Sequence, residues 1–315
     1  MRKLWAILPT VLLVGGGLWA GPLQRQHVAA NAKWLVHLDL DRLLETEVGK
    51  WLAENVVDPG LARPQRELKQ NLGIDFNWRD IASVTAYGTQ FKPWGEPNGV
   101  LLLDGYDFGA ALDEAIRRLE QAVGVGAVPL HKTQEAGATV FSLQDRVFGA
   151  MLPGRLFVLS QSKDELQKAR DVLSGAAPAL PEAKMPAAAS TAFLVGRLDK
   201  LQEAPLPPQA QALKAVESAQ FSLAQQADNV VGRLSLAVKD AETAAQMQQA
   251  LQGLLALVLL NQSQNTNAQK LIQATKITAT DKTVNVRLEL PAADVIELLK
   301  QGQQRRAGNR PARNP

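Results

Sequence analysis

Short stretches of alternating or continuous apolar residues, broken by turn residues and by longer helical patterns, recur along this chain in one order that is met twice. That order constrains the fold more than any single residue. Alternating side chains give each strand one face toward a core, and that face has to be covered by helices. In the first pass, a strand from Trp34 to Leu40 leads into a helix through Leu43, Leu44, Val48 and Trp51, with Asp41 as its expected N-cap. Strands at Ser83 to Phe91 and Gly99 to Gly105 flank a Gly- and Pro-rich connection and read as a hairpin, followed by a helix from Phe108 to Gln121. Three more strands follow, Thr139 to Leu143, Val147 to Leu152 and Arg155 to Ser160, the last two joined at Pro153-Gly154. Ser162 and Glu165 have the spacing of a capping box, which predicts a helix to Ser174.

The second pass begins after an Ala- and Pro-rich segment without periodicity. It comprises a strand at Thr191 to Leu198, a helix around Gln209 to Val216, and strands at Ser218 to Gln225 and Asn229 to Val238. A long helix from Ala241 to Leu260, a hairpin of Lys276 to Thr280 with Thr283 to Leu290, and a final helix opened by Pro291 and running to Lys300 complete it. The apolar run Leu254 to Leu260 is too short for a membrane span and predicts a buried helix. Each pass contains β-α-β-β-α-β, the split βαβ pattern. The expected fold is therefore α+β with two ferredoxin-like pseudo-repeats. The local match of Leu40-Asp41-Arg42-Leu43 with Leu198-Asp199-Lys200-Leu201 marks an internal duplication. The expected boundaries are 33–175 and 191–302 for the halves, 176–190 for a linker, 1–32 for an export signal or N-terminal anchor, and 303–315 for a disordered basic tail.

The pI near 9.1 suggests a nucleic-acid or membrane surface until the charges are located. Arg2, Lys3 and Arg25 lie in the leader, and Arg305, Arg306, Arg310 and Arg313 lie in the tail. Removing these seven from the formal +3 leaves −4, so the body is mildly acidic and no nucleic-acid partner is expected. Met1-Arg2-Lys3, the apolar run Leu4 to Ala20 and the polar residues after it have the three-part form of an export signal, so a periplasmic or secreted location is expected. Retention as an inner-membrane anchor is the alternative, against which Pro9 and Gly15-Gly16-Gly17 interrupt the run. Ala20 and Ala32 are the two candidate cut sites. The chain has no cysteine, which removes disulfides, thiolate metal sites and lipid modification of a cysteine.

The stretches Gly73-Ile74-Asp75, Ser83-Val84-Thr85-Ala86-Tyr87-Gly88 and Gly99-Val100-Leu101-Leu102-Leu103-Asp104-Gly105 resemble those of a group of uncharacterised exported bacterial proteins with duplicated α+β halves. The resemblance implies a place in the cell envelope and carries no assigned activity.

No residue pattern specifies catalysis outright. His37 and Asp39 alternate on one strand and could project together as a nitrogen-and-carboxylate pair, which makes a metal-dependent hydrolase the enzymatic alternative. Against it, a site needs further ligands that the sequence does not point to. Ser160-Gln161-Ser162-Lys163 has acyl-enzyme spacing without its companion motifs, and Gly124-Val125-Gly126 lacks the rest of a dinucleotide fingerprint, so no cofactor is expected. The leading expectation is a non-catalytic binding or interaction protein of the envelope, with an envelope protein or polymer as partner. Its site is sought in an imbalance: Lys33 to Gln161 holds twelve aromatics, and the rest of the chain after it only Phe193 and Phe221. The long connection holding Phe91, Lys92 and Trp94, with Trp78 before the hairpin, is the predicted binding surface.

Overall fold

The computed structural model describes residues 21–92, 99–124, 130–135, 137–144, 146–206, 213–261 and 265–308. Residues 1–20 and 309–315, which hold most of the expected leader and the end of the expected basic tail, lie outside them.

In β1 (Trp34–Asp39) burial alternates residue by residue, as a strand with one covered face requires. Asp39, not Asp41, ends the strand and caps the helix: its carboxylate accepts the Arg42 backbone N–H at 3.0 Å. The helix therefore starts earlier than expected, as α1 (Leu40–Glu45), and breaks at Thr46, whose hydroxyl accepts the Gly49 N–H and caps α2 (Glu47–Leu52). The break is held by close packing. A Cβ on Gly49 would lie 1.8 Å from the Leu43 carbonyl oxygen, which only glycine avoids. After a π-turn at Ala53–Val57, α3 (Asp58–Leu72) runs to a left-handed cap at Gly73.

The strands β2 (Ser83–Gly88), β3 (Val100–Asp104), β4 (Leu130–Glu135), β5 (Ala138–Leu143), β6 (Val147–Leu152) and β7 (Leu156–Ser160) complete the first half. With them come α4 (Phe108–Val123) and α5 (Lys163–Leu173), the latter capped by Ser162 as its spacing predicts. The second half holds β8 (Leu194–Asp199), β9 (Val216–Gln226), β10 (Asn229–Val238), α6 (Ala241–Asn261), α7 (Thr266–Gln273), β11 (Thr275–Thr280), β12 (Thr283–Pro291) and α8 (Ala292–Gly308). Of the helix expected around Gln209 to Val216, residues 209–212 lie outside the described residues and Val216 opens β9. The final helix continues past Gln303 to Gly308, so the expected tail is helical at its start.

All twelve strands join in one sheet, in the order β11-β12-β10-β9-β8-β1-β2-β3-β7-β6-β5-β4. Every ladder among the described residues is antiparallel. The strand order corrects the ferredoxin-like expectation, because a split βαβ unit keeps the two strands of its crossover apart, with a third strand inserted between them. Here β2 pairs directly with β1, and β9 directly with β8. Helices alternate with strands in the sequence without forming that crossover. At the centre β1 pairs with β8, Val36 opposite Gly196, and outward from this pair both sides add their next two strands in chain order.

The two sheet faces are covered differently. On one, Val100, Leu102 and Val158 pack against Leu166 and Ala169 of α5, together with Leu23, Val28 and Leu180 from the segments 21–32 and 176–190. The Ala/Pro segment is thus part of the core: Leu180 is buried and its N–H donates to the Val28 carbonyl at 2.8 Å. On the other face, Leu103 and Phe157 pack beneath α4, and Leu236, Val238 and Ile277 beneath α6.

Candidate functional site

Of the predicted surface in the first half, Trp78 lies in the core. Trp78 is 1% exposed, packed with Ala53, Val57 and Leu61, and its indole N–H donates to Asp58 at 2.7 Å. Arg79 lies over the ring at 4.3 Å and ion-pairs with the same Asp58, which closes the indole off from solvent. Trp78 therefore anchors α3 and is a packing residue. Phe91 and Lys92 are half-buried at the start of the long connection, and Trp94 lies outside the described residues. The aromatic excess has a packing cause. Phe76, Tyr106, Phe108, Phe157 and Phe141 form a run of rings in successive contact, the last three stacked at 4.3 and 5.5 Å between centroids. They fill the layer between the sheet and α4.

His37 and Asp39 share the face that α5 covers, and both are buried. The imidazole Nδ1 is hydrogen-bonded to the Thr85 hydroxyl at 2.8 Å. Among the described residues Nε2 has no partner of ordinary geometry, and the Gly21 backbone lies near enough to favour the ring's proton. Burial pushes the pKa down to about 4, against the opposing pull of the Asp39 carboxylate. Asp39 is committed to the N-terminus of α1 and to Arg42. Among the described residues, no group of three or more His, Cys, Asp or Glu could hold a metal ion.

An aliphatic cavity lies in the second half, where no aromatic signal drew attention. It occupies about 420 Å³ between α6 and the sheet. Leu236 and Ile277 form part of its floor, Leu251 and Leu255 part of its roof, and all but one of its lining residues are aliphatic. It sits where the first half holds its five rings: on the same sheet face, beneath the long helix that follows the third strand of the half. Leu254 and Val258 line it and are exposed as well, and they continue into an apolar helix end with Leu257 at 56% and Leu260 at 73% exposure. This overturns the expectation that Leu254 to Leu260 is buried. The sequence signal for the site was that same run, apolar all round, read as core because its surroundings were unknown. No helix among the described residues is long and apolar enough to cross a membrane.

A second cavity, of about 410 Å³, lies between α5 and the segment 29–31 and is lined in part by Tyr87, Glu165 and Lys168. The Tyr87 hydroxyl is buried without a hydrogen-bond partner among the described residues, and burial raises its pKa.

Fold and cavity define an α+β protein built on one antiparallel sheet, with an aliphatic chamber under its longest helix. No family model matches the chain, and no curated protein sequence matches it. Among solved structures it is similar to crystal form III of TP0453, at 11% identity and a TM-score of 0.50, covering 90% of this chain and all of that one. Crystal forms I and IV of TP0453 match at 12% and 10% identity with TM-scores of 0.47, covering 90% and 89% of this chain and 99% and 97% of theirs. At such identities the likeness is one of fold.

Proposed function

We propose that this is a non-catalytic binding protein of the bacterial envelope whose ligand is an extended aliphatic chain, such as the acyl chain of a lipid, held under α6. The observation that carries the reading is the cavity of about 420 Å³ with its aliphatic lining and exposed apolar rim. A ligand that buries apolar surface there gains about 25 cal/mol for each Å² removed from water, and it meets no polar group that would demand a partner. Export through the apolar N-terminal run supports an envelope location. We also read the two halves as copies of one ancestral unit, supported by the matching strand order on either side of the β1–β8 pair. On that reading one copy keeps a ring-filled layer and the other has given up the filling.

The test is displacement of fluorescent cis-parinarate by palmitate. Wild-type protein takes up the probe and palmitate displaces it. Leu255→Trp, which fills the cavity from its roof, abolishes uptake while leaving the melting temperature equal or higher, because a filled void restores packing. Uptake that is undiminished in Leu255→Trp, or absent in the wild type, refutes the proposal.

A further inference from the structure

The opposite face of the same half-sheet has another chemistry, separated from the aliphatic cavity by the backbone of the strands. Side chains alternate along β10 and β12. Leu234, Leu236 and Val286 turn toward α6, so Arg233, Ser235, Asn285 and Arg287 turn away from it. There they border a groove of about 520 Å³ whose lining comes from strands and from Pro186–Ala188, with no helical residue among them.

Three cations lie side by side in this groove. Lys276 is directly opposite Arg287 on the neighbouring strand, and Arg287 is directly opposite Arg233 on the next. Neighbouring strands are about 5 Å apart, so the three stems leave the sheet as one row. Like charges directly opposite across a ladder are destabilising, so folding alone does not explain the row. Glu289 ion-pairs with Arg287 at 2.7 Å from outside the lining and also attracts Arg233 at longer range, while Lys276 and Arg233 form no direct ion pair among the described residues. No carboxylate lines the groove. The next row along the strands, about 7 Å away, is neutral and hydrogen-bonding: Thr278, Asn285, Ser235 and Gln220.

We infer that this groove binds a phosphate-bearing polar molecule. Arg233 and Arg287 clamp the phosphate with Lys276 beside them, and the neutral row meets the hydroxyls of the remainder. Adjacent guanidinium groups suit a phosphate oxygen set better than a single carboxylate, which one planar fork already satisfies. The phosphate has two natural sources, a free sugar phosphate and a phospholipid headgroup, and the test separates them.

Titration calorimetry on the full chain uses glucose 6-phosphate, inorganic phosphate and glucose, and co-sedimentation uses phosphatidylcholine vesicles with and without phosphatidylglycerol. The expected result is binding of glucose 6-phosphate, competed by inorganic phosphate and not by glucose, or retention on the phosphatidylglycerol vesicles alone. The first assigns the free source and the second the headgroup. In either case Arg233→Gln and Arg287→Gln each weaken binding about ten-fold, as expected for loss of one charge-assisted contact. Removing one member of a like-charged row also leaves the melting temperature of ligand-free Arg233→Gln at or above that of the wild type. The inference is overturned if neither probe binds, if the variants bind as the wild type does, or if Arg233→Gln melts lower and so shows the arginine to be structural. Unchanged parinarate uptake in Arg233→Gln separates this outcome from the fate of the aliphatic site.

Discussion

His37 is a titratable group that the fold keeps neutral at a cost that depends on pH. Its ordinary pKa of 6.5 applies to the unfolded chain, and burial lowers it to about 4 in the folded one. Between those values the unfolded state binds a proton that the folded state refuses, so stability falls as pH drops through the window. The full difference corresponds to about 3 kcal/mol. His37→Gln, which can still meet the Thr85 hydroxyl, should flatten the decline of the urea midpoint across that window. It should not abolish it, because burial lowers the pKa of His27 too. An unchanged decline in His37→Gln would place the proton elsewhere. The same burial explains why His37 and Asp39 make a poor metal pair: one nitrogen is held by Thr85, and the carboxylate is spent on a helix start and on Arg42.

At the scale of elements, the segment 21–32 bears on where the expected export signal would be cut. Leu23, Val28, Ala29 and Ala32 are buried, Ala29 bridges Ala179, and the Ala30 N–H donates to Pro178. A cut after Ala32 would strip this layer from the core and leave Leu180 without the carbonyl it donates to. N-terminal sequencing of exported protein should therefore find Gly21 as the first residue. A mature chain starting at Lys33 would show that the core tolerates the loss. The small-x-small rule alone favours Ala30-Asn31-Ala32 over Leu18-Trp19-Ala20, where Leu18 is large, because it reads the cleavage site and not the folded product. Other elements were legible for identifiable reasons. The strands β1, β5, β6, β7, β10 and β12 carry apolar alternation or runs, and α5 carries a capping box. By contrast β4, Leu-His-Lys-Thr-Gln-Glu, is an exposed edge strand without an apolar face, so period-two reading had nothing to find. The helix α3 holds Pro64 in its interior and buries only Leu61, which hides its periodicity. The candidate site suffered most. Aromatic count marks filling and cavities are marked by its absence, and which of the two a half-sheet has depends on contacts distant in sequence.

At the scale of the whole molecule, the chain reads as two halves but is joined as one body. The strands β1 and β8 pair over their length at the centre of the sheet, the 176–190 segment packs under both halves' shared face, and α8 reaches the first half, where Gln303 donates to the Asn55 carbonyl at 3.4 Å. Cutting at 190 would expose the β8 edge, a row of unpaired N–H and C=O groups flanked by Leu194, Val195 and Leu198. Flexibly tethered domains would instead be indifferent to such a cut. The central pairing is antiparallel, so it relates the halves by an approximate two-fold axis, and if they are copies of one unit then a lone half has a ready partner in its own copy. Residues 191–308 expressed alone should accordingly form a homodimer through β8, visible by size-exclusion chromatography with light scattering. Adding residues 21–190 should convert that dimer to a one-to-one complex, because the native β1 edge also restores the α2–α8 contact. Replacing Arg197, whose N–H faces β1 in the register of the central pair, by proline in the isolated half removes one donor from that edge and obstructs it, so it should yield monomer or unfolded chain. Two monomeric halves, each melting as the intact protein does, would show that the central ladder is dispensable and that the halves fold as independent domains.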